Sequence, residues 1–151
     1  VRYGRHLDAD RAALIAMYHD ASEIITGDMP TPVKYYSPEI RDAYKKVEDL
    51  AEDRLLDQLP EDLRPVFESI LKQDGTDEDL ELRKYVKAAD KLSALIKCIE
   101  EDGAGNTEFK TAAVSTMHSL EEMKSDIPEI GDFMDSFLPA YGRTLDELLE
   151  R

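Results

Sequence analysis

The sequence has 151 residues, of which 42% are hydrophobic and 35% are charged, and its formal net charge is −15. A chain of this length buries most of its apolar surface around one core, so we predict a single domain over residues 1–151. The absence of a long apolar run excludes a membrane span, and the negative charge argues against a protein that wraps nucleic acid nonspecifically, since phosphate neutralisation needs clustered Lys and Arg.

Apolar residues recur at spacings of three and four while strand-like alternation is absent, which predicts an all-α fold without a sheet. The first helix is predicted from Asp10 to Thr26, where Gly27 is a stop signal. Its predicted buried residues are Leu14, Met17, Ala21 and Ile24 or Ile25. Residues 27–32 contain a glycine and two prolines, so we predict a loop there.

The second predicted helix begins with Ser37 as its cap and Pro38 at its first position. Its apolar stripe keeps helical period to about Leu59. A shorter helix is predicted over residues 63–71, with Pro65 in its first turn, where a missing N–H costs nothing. The middle of the chain is therefore predicted to be helical as well.

The polar run at residues 73–77 predicts a turn, and a long helix follows from about Glu78 to Gly103. Three further helices are predicted over residues 109–120, over residues 130–137 and from Thr144 onward. Thr144 and Glu147 form a capping box, in which each side chain satisfies a free amide of the other residue. The sequence thus predicts six to seven helices.

Two adjacent polar residues, His19 and Asp20, lie inside the first predicted helix among small and apolar neighbours. Their directions differ by about 100°, so both reach one ion only if it lies between them. Glu23, three and four positions further on, falls on the same side. For the dipeptide alone, a capped or salt-bridged surface patch is the favoured explanation.

Asp90 changes that balance because it shares a helix row with Val86, Ala89 and Ser93, where an amphipathic pattern places apolar side chains. We therefore predict a carboxylate on a buried face, which usually requires a metal or another cation. Imidazole nitrogen and carboxylate oxygens suit Co, Mn, Fe or Zn better than calcium. The placement of these polar residues predicts a divalent metal site.

Several segments together carry a resemblance to a known family. Residues 16–23 read Ala-Met-Tyr-His-Asp-Ala-Ser-Glu, and residues 26–35 read Thr-Gly-Asp-Met-Pro-Thr-Pro-Val-Lys-Tyr. With residues 86–92, 97–101 and 105–109, they resemble the bacterial HD-domain 5'-deoxynucleotidases over nearly the whole chain. The resemblance implies an HD-domain helical bundle.

In that family, a histidine from an earlier helix, the His-Asp pair and a distant aspartate hold the metal. The resemblance therefore assigns His19, Asp20 and Asp90 as ligands, and the first histidine has no counterpart here. His6 lies in a polar lead-in segment and is not assigned as a ligand. We expect the domain to be incomplete at its N-terminal end. If these residues were the entire molecule, metal occupancy would be weak and activity low.

The resemblance also implies catalytic and substrate-binding roles. Glu23 matches a residue that the family uses near the attacking water, and Asp20 is expected to orient that water. The residues that match the substrate loop, which contacts the deoxyribose and excludes a 2'-hydroxyl, are Asp28, Met29, Pro30 and Thr31. The simpler alternative for this segment is a connection stiffened by its prolines.

The implied activity is metal-dependent hydrolysis of deoxyribonucleoside 5'-monophosphates to deoxyribonucleosides and phosphate. Alternatives are an HD phosphohydrolase of nucleoside triphosphates, guanosine tetraphosphate or cyclic dinucleotides, or a noncatalytic helical interaction module with a degenerate metal site. The resemblance further implies a homodimer. The lone Cys98 fits a buried thiol of a cytoplasmic protein, because it cannot form an internal disulfide.

Overall fold

The computed structural model describes residues 2–72 and 76–149, apart from the side chains of Thr31, Pro32, Leu145 and Leu148. The α-helices in these residues are α1 (Ala9–Tyr18), α2 (Glu23–Thr26), α3 (Thr31–Lys34), α4 (Pro38–Leu56), α5 (Arg64–Leu71), α6 (Asp77–Gly103), α7 (Lys110–Met123), α8 (Glu129–Ser136) and α9 (Leu145–Leu149). Short 3-10 turns cover Thr107–Phe109 and Leu138–Ala140. The described residues contain no strand, which confirms the all-α prediction.

Two predicted helix starts, at Ser37 and at Thr144, are confirmed by the contacts that cap them. The Ser37 hydroxyl accepts the Ile40 amide at 3.3 Å at the start of α4. At the start of α9, the Thr144 amide donates to Glu147 Oε2 at 2.7 Å, and the Glu147 amide donates to Thr144 Oγ1 at 3.4 Å. These short-range signals work because each satisfies an amide that the helix leaves without a partner.

The prediction of one continuous helix from Asp10 to Thr26 is wrong, because α1 ends at Tyr18 and residues 19–22 form turns before α2. In these turns, amides bond to carbonyls three positions earlier, as from Glu23 to Asp20 at 2.9 Å. The predicted buried face is also wrong in part. Ile15 is fully buried, whereas Met17 and Ile24 are exposed.

The predicted loop at residues 27–32 is shorter than expected, because α3 begins at Thr31. A proline in the first turn of a helix is tolerated, so Pro32 does not prevent this turn from forming. Residues 73–75 of the predicted polar turn lie outside the described residues. After them, Thr76 caps α6 by accepting the Asp79 amide at 3.2 Å.

The chain forms two compact units, one ending at Arg83 and the other beginning at Lys84. In the first unit, α4 packs against α2, α3 and α5, and α1 packs against α5. The α1–α5 contact includes an edge-to-face pair of Tyr18 and Phe67, whose ring centroids are 5.5 Å apart. The buried apolar residues of this unit include Ile15, Tyr44, Ala51, Leu56, Ile70, Leu71 and Leu82.

The second unit has its own apolar core, to which the later part of α6, α7 and α8 contribute. The buried residues of this core are Ala88, Leu92, Leu95, Leu120, Ile127, Ile130 and Leu138. Cys98 is buried and is not in a disulfide, as predicted. Within the described residues, none of the helices is both long and apolar enough to cross a bilayer. A single domain over residues 1–151 stays a prediction.

Candidate functional site

The imidazole of His19 is oriented by the backbone of α1. Its Nδ1 lies 2.7 Å from the Ala16 carbonyl oxygen, an acceptor that a continuing helix would assign to the residue-20 amide. Because a carbonyl oxygen can only accept, Nδ1 carries the hydrogen, and in the neutral ring Nε2 carries the lone pair. A histidine that ligates a metal commonly makes the same contact with its other nitrogen.

Asp20 presents a carboxylate oxygen to the same point. Its Oδ2 lies 3.1 Å from His19 Nε2. The Asp20 side chain is 56% exposed and the His19 side chain is 31% exposed. Two ligand atoms that each lie about 2.0–2.2 Å from one ion, at roughly a right angle, are separated by about 3 Å. A cation between them also offsets the repulsion between a nitrogen lone pair and a carboxylate. This pair therefore fits a divalent metal in both donor chemistry and spacing.

Glu23 follows as the first residue of α2 and is half-buried. Burial raises the pKa of its carboxyl above the ordinary value, and the nearby charges of Asp20 and Asp28 raise it further. A carboxylate whose pKa lies above the ordinary value is a stronger base than an unperturbed carboxylate, which favours a role in proton transfer. Glu23 thus has the environment of a proton-transfer group, and it belongs to the same unit as His19 and Asp20.

The predicted substrate loop leaves α2 through Gly27, whose φ of +71° is a conformation that favours glycine. Asp28 and Pro30 are exposed, and Met29 is half-buried. Thr31 is the first residue of α3, and its side chain lies outside the described residues. The loop is therefore an accessible segment that directly follows the helix carrying Glu23.

Three residues beside this loop form contacts that the sequence did not reveal. The Lys34 ammonium bonds Glu48 Oε1 at 2.7 Å and lies 5.0 Å from the centroid of the Tyr44 ring. In sequence, Tyr44 is only a member of the apolar stripe of α4, and Glu48 is one of many acids. The usable signal was their four-residue spacing, which places both on one side of α4.

Asp90 lies on α6 in the unit that begins at Lys84, and its predicted place on a buried face is wrong. Asp90 is exposed, as are Ala89 and Ser93 from the same predicted row. In this part of α6 the buried residues include Ala88, Leu92 and Leu95. At about 100° per residue, Asp90 falls on the opposite side of the helix from them. The exposure of Asp90 therefore removes burial as a reason to assign it as a ligand.

The sequence is similar to characterised proteins over almost its whole length. A family model described as 5'-deoxynucleotidase YfbR-like matches residues 1–141. The chain is 44% identical to 5'-deoxynucleotidase VV1113 of Vibrio vulnificus (strain YJ016) over 148 residues, which are 97% of this chain and 74% of that protein. It is 44% identical over 147 residues to the 5'-deoxynucleotidase of Shewanella oneidensis, covering 97% and 73% of the two chains. It is 43% identical over 148 residues to 5'-deoxynucleotidase YfbR of Escherichia coli (strain K12 / DH10B), covering 97% and 72%.

Proposed function

Because the chain belongs to the 5'-deoxynucleotidase YfbR-like family, we propose that it hydrolyses deoxyribonucleoside 5'-monophosphates to deoxyribonucleosides and inorganic phosphate. The relatives above are named for this activity, and the similarity covers 97% of the chain. The observation that carries the proposal is the placement of His19 Nε2 and Asp20 Oδ2, 3.1 Å apart and both accessible to solvent. This arrangement suits a phosphoester hydrolase that uses a metal.

The proposed metal ligands are His19, Asp20 and Asp90. The spacing of His19 and Asp20 supports the first two, and the family resemblance supports Asp90. When bound, a divalent ion such as Co, Mn, Fe or Zn supplies Lewis-acid polarisation of the phosphoryl group and lowers the pKa of water. In this proposal, the Ala16 carbonyl keeps the proton of His19 on Nδ1. The lone pair of Nε2 is then available to ligate the metal.

Asp20 and Glu23 are proposed to orient the attacking water and to transfer its proton. Asp20 accepts a hydrogen bond from the attacking water and aligns it with phosphorus. As the bond from the water oxygen to phosphorus forms and the bond to O5' breaks, Glu23 takes one water proton and returns it to O5'. The products are a deoxyribonucleoside and phosphate. The raised pKa of Glu23 makes its carboxylate a stronger base, which favours the uptake of the water proton.

We assign substrate binding to the loop formed by Asp28, Met29, Pro30 and Thr31. An enzyme that accepts deoxyribose and rejects ribose must leave no room or partner for the additional 2'-hydroxyl. An exposed loop next to Glu23 can supply that contact. Pro30 in the loop and Pro32 directly after it restrict the backbone, which reduces the ordering required when a nucleotide binds.

A panel of nucleotides tests the activity. Full-length protein is incubated with deoxyribonucleoside monophosphates, their ribose counterparts, nucleoside triphosphates, guanosine tetraphosphate and cyclic dinucleotides, and phosphate release is measured. The proposal expects release from the deoxyribonucleoside monophosphates and little from the ribose counterparts. Preferred turnover of another class would favour a different HD phosphohydrolase. Tight metal binding without any turnover would favour a noncatalytic interaction module.

The metal and the assembly have separate tests. Calorimetric titration with Co²⁺ is expected to show weaker binding in Asp20→Asn and Asp90→Asn than in Asp62→Asn, which removes an exposed charge outside the proposed site. We also propose a homodimer that acts in the cytoplasm. Sedimentation velocity at micromolar concentration is expected to give the mass of two chains, and a monomer at all concentrations would contradict this assignment.

A further inference from the structure

The backbone at the start of the proposed substrate loop is held at three points. The Gly27 amide donates to the Glu23 carbonyl at 2.9 Å. The Gly27 carbonyl accepts the Tyr44 hydroxyl at 2.8 Å and the Thr26 hydroxyl at 2.9 Å. Of these three bonds, the one from Tyr44 comes from outside the α2 segment, and it joins the start of the loop to α4.

The end of the loop is held by the same side of α4. The Pro30 carbonyl accepts the amides of Val33 and Lys34 at 2.8 and 3.1 Å, which closes the single turn of α3. The Lys34 ammonium bonds Glu48 at 2.7 Å and lies 5.0 Å from the Tyr44 ring centroid. Since residues four apart in a helix lie one above the other, Tyr44 and Glu48 contact both ends of the loop from one face.

These contacts are shielded from water. Tyr44 is 8% exposed, and the side chains of Lys34 and Glu48 are 27% and 17% exposed. Partial burial lowers the pKa of Lys34, but the hydrogen bond and charge of Glu48 outweigh it, so the net shift is upward. The Lys34 ammonium is therefore paired with Glu48. This pair stabilises the position of α3, so the Lys34 side chain is not assigned to phosphate binding.

We infer that Tyr44 and Glu48 are positioning residues that hold the Asp28–Thr31 loop in the geometry that discriminates deoxyribose from ribose. The inference rests on the proposed function for its substrate. Discrimination by one hydroxyl requires the loop to be held within about 0.5 Å, because a looser loop moves aside for the larger sugar. Two contacts on one rigid helix supply that constraint at both ends of the loop.

Tyr44→Phe tests the inference with the smallest chemical change. Phenylalanine keeps the ring in the core and beneath Lys34 but removes the bond to Gly27. We expect the ratio of kcat/KM for deoxyadenosine monophosphate to that for adenosine monophosphate to fall about fivefold, the effect of one net hydrogen bond. Tyr36→Phe removes an exposed hydroxyl nearby and is expected to leave the ratio unchanged. A ratio within twofold of the parent in Tyr44→Phe would overturn the inference.

Amide hydrogen exchange separates this inference from the proposed function. Tyr44→Phe and Glu48→Gln are each expected to speed exchange at residues 27–34 while leaving the core around Leu120 unchanged. If the parent protein turns over no monophosphate but exchange at the loop accelerates, the proposed function fails and the anchoring of the loop stands. Unchanged exchange in both variants would overturn the anchoring itself. Circular dichroism establishes that each variant remains folded.

Discussion

Replacing Arg11 with methionine removes the side chain that joins α1 to its neighbours in the first unit. The guanidinium Nε and Nη2 each lie 2.9 Å from an oxygen of Asp79, and Nη2 also donates to the Ser69 carbonyl at 2.7 Å. The side chains of Arg11 and Asp79 are 22% and 10% exposed. Methionine fills a similar volume without these bonds, so the Asp79 carboxylate loses its bidentate partner in a mostly buried setting.

The expected loss is about 2–3 kcal/mol in the free energy of unfolding at pH 7. Hydrogen bonds to charged groups contribute about 1.5–3 kcal/mol each. The contributions of the two bonds to Asp79 are not additive, and solvent weakens them because Arg11 is partly exposed. With a urea dependence of about 2 kcal/mol per molar, the midpoint falls by about 1 M. Arg41→Met is the matched control. Its pair with Asp42 is exposed, so removing it costs about 0–1 kcal/mol.

The same variant has a defined pH dependence. The hydrogen bond from Arg11 holds the pKa of the Asp79 carboxyl below its ordinary value. The unfolded chain therefore binds a proton at Asp79 before the folded protein does as the pH falls. The stabilisation is complete above about pH 4 and is lost as the pH falls through the lower folded pKa. The claim that Arg11 stabilises the fold through ionised Asp79 would be wrong if parent and Arg11→Met were equally stable at pH 7. It would also be wrong if the difference in stability persisted undiminished at pH 2–3.

Two further predictions concern the cores of the two units. Leu120→Ala empties a fully buried position and is expected to cost about 2–5 kcal/mol in urea unfolding, whereas Val114→Ala on the exposed side of α7 is expected to change stability by less than about 0.5 kcal/mol. Equal effects of the two variants would contradict the assigned core. Burial raises the pKa of the Glu52 carboxyl, so its charged form opposes folding near neutral pH, and Glu52→Gln is expected to unfold at the same or a higher temperature at pH 7. That advantage should shrink as the pH falls toward about 4, and a clear loss of stability at pH 7 would instead mean that the pair with Lys72 outweighs burial.

Local signals predicted much of this fold. The cap at Ser37, the stop at Gly27 and the capping box at Thr144 each act through atoms within four residues, so the sequence contains the whole interaction. The family resemblance was also sufficient to identify the family, and the match over residues 1–141 confirms it. Predictions of this kind depend little on how distant segments pack.

The errors arose where a side chain or a change of neighbours decides the structure. At the end of α1, His19 Nδ1 forms a hydrogen bond with the Ala16 carbonyl. The spacing of apolar residues does not predict that contact. Along α6, the buried side of the helix changes: Leu82 and Val86 are buried near its start, whereas Leu92 and Leu95 are buried further on. Asp90 lies one helical turn after Val86, on a side that is no longer buried, and it is exposed. A long helix that changes neighbours does not keep one buried stripe.

The sequence was sufficient to select candidate residues for the site but not to predict the contacts that support them. His19, Asp20 and Glu23 could be selected because polar residues stood in an apolar setting. The bonds from Tyr44 to Gly27 and from Lys34 to Glu48 depend on α3 folding back onto α4, which no local pattern specifies. Those contacts carry the proposed control of sugar selectivity.

The most direct test of the account is the rate of phosphate release from deoxyadenosine monophosphate by full-length protein before and after a chelator removes divalent metal. We expect loss of activity on chelation, recovery when Co²⁺ or Mn²⁺ is restored, and no recovery in Asp20→Asn under the same conditions. Asp62→Asn, which removes an exposed charge outside the proposed site, should recover like the parent. Phosphate release that survives chelation, or an Asp20→Asn variant as active as the parent, would contradict the assignment of the His19–Asp20 turn as the metal-dependent centre.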